Sequence, residues 1–282
     1  PDMKGREAIL KVHSKGKPIS PAVDLEQLAR ATPGFVGADL ENLVNEAAIL
    51  AARRNKKIIE QPEFEEAIER VIAGPERKNR LINPNEKKII AYHEAGHAVV
   101  INTLPEGDPV QKVSIISRGM AGGFTLSLPL EDRMLDSRKK MVATMVGLLG
   151  GRAAEEIMFN DITTGASNDI ENVTKIARRM VTRYGMSSEL GPMVYGQKEE
   201  LVFLGREISE QRDYSESVAT KIDAEVQRLV SESYKQAKSI LEQYKDKLIA
   251  VAEKLLEVET LSREEFEAIF PPPRSEERRV GK

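Results

Sequence analysis

Apolar side chains recur at three- and four-residue steps through Leu40, Leu43, Val44, Ala47, Leu50 and Ala51, the stripe of a helix lying on a core from Asp39 to about Asn55. Shorter helices are predicted around it. One spans residues 3 to 13, and another spans 25 to 31, opened by Asp24 with Gln27 three residues on in a capping-box pattern. Pro62 stands where a first-turn proline belongs, ahead of Phe64, Ala67, Ile68 and Val71. These four helices predict one compact unit over residues 1–75. Ala73-Gly74-Pro75 and the charged run Glu76 to Arg80 then combine chain breakers with solvated side chains, as a linker does.

The second half reads as helices around one small sheet. A helix opens with Asn83 as cap, Pro84 in the first turn and Glu86 behind it, and runs to about Thr103, before Pro105 and Gly107. Residues 110–116 and 123–128 alternate or are β-branched, and the glycine-rich Arg118-Gly119-Met120-Ala121-Gly122 connects them, predicting a hairpin. One helix is expected from Ser137 through Gly150-Gly151 to about Met158, and another from Ser167 to Tyr184. The latter has a stripe of Ile170, Val173, Ala177, Met180, Val181 and Tyr184, and Gly185 as its C-terminal cap. Neither Gly nor Pro occurs between Arg206 and Phe270. The repeats Val218, Ile222, Val226, Leu229 and Ile240, Leu241, Leu248, Val251, Leu255 there predict long packed helices. Pro271-Pro272-Pro273 ends them, with a disordered tail expected over 271–282.

Charge and composition narrow the chemistry. With 42 Lys plus Arg against 45 Asp plus Glu, the 282-residue chain carries a net charge of −3, which gives no general attraction to nucleic acid. It has no cysteine, so a metal would be held by His, Asp, Glu or backbone oxygen. No stretch approaches the roughly 18 to 20 apolar residues that cross a bilayer. The sequence opens Pro1-Asp2-Met3 without an initiator methionine, as a processed or cut piece would.

Two of the three histidines, His93 and His97, stand four residues apart with Glu94 between, the third being His13. On a helix this places two imidazoles on one face, a spacing that suits zinc with a third protein ligand and a water whose proton Glu94 could take. Ile89, Ile90, Ala98, Val99 and Val100 would bury such a site. Val100 and Thr103 exclude the metzincin spacing. Because His13 lies across the linker in the other predicted unit, a carboxylate is expected as the third ligand, with Glu155, Glu156, Asp161 and Asp169 as candidates; Asp169 sits in a first helical turn, where acids also serve the helix dipole, and spacing alone puts it only slightly ahead of Glu156. Gly16-Lys17 is no phosphate loop, because Lys11 replaces the leading glycine and Pro18 the hydroxyl residue.

The sequences His93-Glu94-Ala95-Gly96-His97, Gly150-Gly151-Arg152-Ala153-Ala154-Glu155-Glu156, Thr163-Thr164-Gly165-Ala166-Ser167-Asn168-Asp169-Ile170 and Met186-Ser187 to Gly191-Pro192, in this order, resemble the peptidase domain of the FtsH family over residues 76–270. Those are membrane-anchored, ATP-dependent zinc metalloproteases. Residues 1–75, with Ile9-Leu10-Lys11-Val12-His13 and Gly34-Phe35-Val36-Gly37-Ala38-Asp39-Leu40, resemble the helical lid of the same family's AAA ATPase module. The resemblance implies a mainly α fold: a four-helix AAA lid, then a helical zincin-type peptidase domain with a small β-hairpin. It implies Zn2+ held by His93, His97 and Asp169, Glu94 as catalytic base, and Glu155 and Glu156 in support. His13, Gly37 and Ala38 correspond to positions near the adenine and ribose of ATP, whose phosphate-binding core would lie outside this sequence. The implied partners are unfolded and membrane-extracted polypeptides, cut processively, and a homo-hexamer. The implied setting is the inner (cytoplasmic) membrane of a bacterium, this soluble part facing the cytoplasm, with membrane contact only through N-terminal segments it lacks. The extended run from Gly123 to Leu128 is expected to offer an edge for pairing with substrate backbone. Two rival expectations are a non-catalytic helical oligomerisation module with a structural metal site, and an adaptor that binds nucleotide through the lid alone.

Overall fold

The computed structural model describes residues 1–76, 83–118, 122–129, 133, 135–196 and 214–272. Linker residues 77–80, the centre of the glycine-rich connection at 119–121 and the tail from 273 lie outside them. The chain forms two compact units, the first of Pro1–Ala91, Asp108–Leu135 and Lys254–Phe266, the second of Tyr92–Gly107, Asp136–Glu253 and the chain from Glu267.

The first unit opens with α1 (Met3–Ser14), α2 (Leu25–Arg30), α3 (Gly37–Arg53) and α4 (Gln61–Ala73). All six predicted stripe residues of α3 are buried, in one core with Leu10, Leu28, Ile59, Phe64, Ala67 and Ile68. The Asp24 carboxylate accepts from Gln27 N at 2.9 Å, but the reciprocal half of the expected capping box is taken by Gln61, whose Oε1 accepts from Asp24 N at 3.1 Å. The cap therefore also ties α2 to α4. The Glu63 side chain is fully buried, and Arg54 and Lys56 donate to it at 2.6 and 3.2 Å. Burial works to raise the Glu63 carboxyl, and these two cations with the Glu60 N–H more than reverse it, holding it below 4.5.

The same unit carries a sheet of three antiparallel strands in the order β2-β1-β3: β1 (Val110–Ser114), β2 (Phe124–Ser127) and β3 (Thr260–Ser262). Ser114 faces Phe124 and Val113 faces Thr125 on one side, Leu261 lies opposite Val113 on the other, and the register slips between Val110 and Lys112. The hairpin was expected and β3 was not, since residues 206–270 read as helix throughout. Glu259, with φ of 62°, turns the chain out of a helix, and Ile115 N donates to its carbonyl at 2.9 Å. Among the described residues, β2 has a strand on one side only.

Helix α5 (Pro84–Thr103) continues into the second unit, which holds α6 (Arg138–Leu148), α7 (Gly150–Phe159), α8 (Ser167–Thr182), α9 (Glu216–Gln243) and most of α10 (Lys245–Val258); α11 (Arg263–Ile269) follows β3. The single helix expected from Ser137 is divided at Leu149, where φ of −82° and ψ of −5° flatten the turn while Ala153 N still reaches Leu149 O at 3.0 Å. Along α8, Val173, Ala177, Met180 and Val181 are buried as expected, whereas Ile170 near its start is exposed. The helix ends at Thr182 rather than at the expected Tyr184, which lies beyond the Arg183 cap and is exposed. Gly185 takes φ of +57°, and a Cβ there would also meet the Pro192 backbone at 2.7 Å. No helix among the described residues is long and apolar enough to cross a membrane.

Candidate metal centre

Helix α5 presents His93 and His97 one turn apart, both buried, with their Nε2 atoms 3.0 Å from each other. From the first turn of α8, Asp169 brings Oδ2 to 3.4 Å from His93 Nε2 and 3.5 Å from His97 Nε2. These three side chains form the one metal-type cluster among the described residues, with all ligand atoms within 4.8 Å of one another. Close helix approach makes it possible. A Cβ on Gly96 would meet the Gly150 carbonyl at 2.5 Å, and one on Gly151 would meet the His93 ring at 2.5 Å, so glycine lets α7 press against the histidine face.

The outer ring nitrogens are also fixed. Glu155 Oε1 lies 2.6 Å from His93 Nδ1, and its other oxygen accepts from Thr163 N at 2.7 Å, so one carboxylate grips both the first histidine and the segment leading to Asp169. The Gly147 carbonyl lies 2.9 Å from His97 Nδ1. With acceptors at both Nδ1 atoms, each ring in its neutral form carries its proton there and turns the Nε2 lone pair inward. Two lone pairs and a carboxylate oxygen then converge with no donor between them, an arrangement that calls for a cation and has the N and O ligand chemistry of zinc. Burial pulls the His93 imidazole down, but Asp169, Glu155 and the nearby charge of Glu94 override it and hold the ring at about 10, so these acidic surroundings favour positive charge here, either a proton on Nε2 or a metal cation in its place. Burial would raise Asp169, yet the two imidazoles hold its carboxyl far below the usual range.

Of the other sequence candidates, Glu94 stays beside the cluster, its charge acting on the His93 ring, and the rest turn elsewhere. Glu94 is buried beside His93 in sequence. Glu156 is bound by Tyr234 Oη and, at 2.7 Å, by Lys238 Nζ, both on α9. Asp161 accepts from Ile162 N at 2.8 Å within its own loop. His13 lies in the last turn of α1, and Gly37 and Ala38 open α3. Sequence spacing did not reveal the backbone carbonyl of Gly147, nor that Glu155 would hold a ligand rather than be one. The Gly150-Gly151 pair was the available signal, since two adjacent glycines inside a helix point to close backbone approach.

Residues 80–269 match the model of peptidase family M41, and residues 22–66 match that of the AAA+ lid domain. The chain is 59% identical over 281 residues to a protein of Sphaerobacter thermophilus named ATP-dependent zinc metalloprotease FtsH 1, covering 100% of this chain and 43% of that one. A Thermoanaerobacter protein of the same name is 58% identical over 270 residues, covering 96% and 44%, and the ATP-dependent zinc metalloprotease FtsH of Thermotoga maritima is 56% identical over 271 residues with the same shares. The chain thus spans under half the length of these curated relatives. With the family model covering well over half of its residues and enclosing the His93, His97 and Asp169 cluster, the chain belongs to peptidase family M41.

Proposed function

We propose that this chain is the lid and peptidase part of an ATP-dependent zinc metalloendopeptidase that degrades unfolded and membrane-extracted polypeptides. The observation that carries the reading is the convergence of His93 Nε2, His97 Nε2 and Asp169 Oδ2 with both outer imidazole nitrogens already engaged. These three atoms would hold the zinc ion. When bound there, zinc supplies Lewis acidity, making water a nucleophile near neutral pH and polarising a carbonyl. Glu94 takes the proton of the attacking water on its carboxylate and returns it to the amide nitrogen of the departing strand. Glu155 keeps the His93 proton on Nδ1, and so keeps Nε2 a ligand.

Strand β2, with a neighbour on one side only, would pair with extended substrate backbone and give a loose sequence preference. We divide the chain into an AAA lid over 1–75 and a peptidase domain over 76–270, a division supported by the two family models falling on either side of it. ATP would be met at the lid by His13, Gly37 and Ala38, with its phosphates held by a core outside this chain. Assembly as a homo-hexamer at the inner membrane of a bacterium, facing the cytoplasm, follows from the same reading, and relatives more than twice as long leave room for the anchor and the core.

Glu94→Gln with casein as substrate tests this. Casein cleavage should fall by roughly a hundredfold or more while bound zinc is retained, the scale of a lost general base. Undiminished cleavage with zinc in place rejects Glu94 as the base. A wild type that holds no metal, and whose melting temperature and casein cleavage ignore a chelator, supports the oligomerisation module instead.

A further inference from the structure

Arg118 follows β1 within the first unit and is 1% exposed, yet it is absent from the metal cluster and from the chemistry described above. Its Nη2 donates at 2.7 Å to Glu69 near the end of α4 and at 2.7 Å to Glu76 just beyond it. Its guanidinium carbon stands 4.8 Å from the centre of the Phe124 ring, the first residue of β2. Backbone pairing between Glu76 and Arg118 closes the arrangement, and Lys112 of β1 donates to the same Glu69 at 2.7 Å. Arg118 Nε is buried without a hydrogen-bond partner among the described residues.

Stability alone does not explain this choice. A buried ion pair can often be replaced by apolar side chains of similar volume without loss, and a buried unpaired N–H is a cost that folded proteins mostly avoid. A guanidinium does what no apolar residue can: Nη2 donates to both carboxylates, Nη1 reaches the Gly74 carbonyl at 3.4 Å, and the flat face lies against an aromatic ring. Here those partners belong to different structural elements, the end of the last lid helix and the start of the free-edged strand.

We propose that Arg118 is a positioning residue that ties helix α4 to strand β2, so that the setting of the lid fixes the strand offered to substrate. This rests on the reading of β2 as the substrate edge given above. Movement of α4 shifts Glu69, Glu69 carries the guanidinium, and the guanidinium carries the Phe124 ring and the start of β2. The chemical class recognised at that edge is an extended polypeptide.

The test is amide hydrogen exchange across Phe124–Ser127 in the whole chain, comparing wild type with Glu69→Gln, Arg118→Lys and the double variant. Lysine keeps a paired charge and protects the fold, but it lacks both the planar face that lies against the Phe124 ring and the second nitrogen that reaches the Gly74 carbonyl. Exchange at β2 should quicken roughly tenfold in each single variant and no further in the double, the signature of one shared interaction. In parallel, KM for casein should rise roughly fivefold, with kcat within about twofold and zinc content unchanged, because no residue of the metal cluster is touched. Exchange at β2 unchanged in Glu69→Gln, or two effects that add, overturns the tie. Failure of the wild type to cleave casein would sink the proteolytic reading, and the exchange result would still decide whether α4 and β2 are tied.

Discussion

Replacing Gly151 with alanine should disable the centre without replacing a single ligand. A Cβ at that position falls 2.5 Å from both Cε1 and Nε2 of His93 and 2.6 Å from Cδ2. Ordinary carbon contacts lie at about 3.5 Å, so the ring must withdraw by roughly 1 Å. The retreat is resisted, because Glu155 grips Nδ1 at 2.6 Å and the neighbouring Gly96 and Gly150 backbones are already in contact. Overpacking of this kind costs about 1–3 kcal/mol of stability. Displacement of Nε2 should weaken zinc binding by roughly 10- to 100-fold, and misplacement by about 1 Å can lower turnover by about a hundredfold. Competition with a chelator gives the zinc affinity, casein cleavage at saturating zinc gives the turnover, and a melting curve separates both from unfolding. A folded Gly151→Ala chain whose zinc affinity and turnover stay within threefold of wild type would refute the reasoning.

Two further outcomes are expected elsewhere. Glu155→Gln should cost roughly 10- to 100-fold in zinc affinity, read by the same competition, because an amide no longer compels the His93 proton onto Nδ1; unchanged affinity would remove Glu155 from the centre. In the lid, Glu63 is held below its ordinary 4.5, so it stabilises the fold fully above that pH and ceases to do so as pH falls through its folded value. Chemical denaturation from pH 7 to 3 should therefore show Glu63→Gln less stable than wild type at pH 7 by about 1–3 kcal/mol, with a shallower decline in acid. Parallel pH profiles would contradict this.

Where one element declares itself through its own side chains, the sequence was sufficient. All six apolar positions of α3, the Asp24 cap, the left-handed Gly185 and the paired histidines of α5 are local patterns, and each stands in the structure where the pattern put it. Strand β3 was illegible because Thr260–Ser262 is too short to show a period, and its partner β1 lies far away in the chain. The neighbours Glu155 and Glu156 could not be told apart by spacing either. Successive residues on a helix point about 100° apart, so Glu155 faces His93 while Glu156 turns to Tyr234 and Lys238 on α9. That distinction depends on which helix packs on which side, and no single segment encodes it. Arg118 was hidden for the same reason: in sequence it is one basic residue before a glycine, and its partners come from α4, the chain beyond it and β2.

Zinc-edge X-ray absorption on the zinc-loaded chain and its Asp169→Asn variant tests the central claim most directly. The account predicts two imidazole nitrogens at about 2.0–2.1 Å and a carboxylate oxygen at about 2.0–2.2 Å, with the oxygen contribution altered or the metal lost in the variant. A wild type with no bound zinc, or a spectrum indifferent to Asp169, would contradict it.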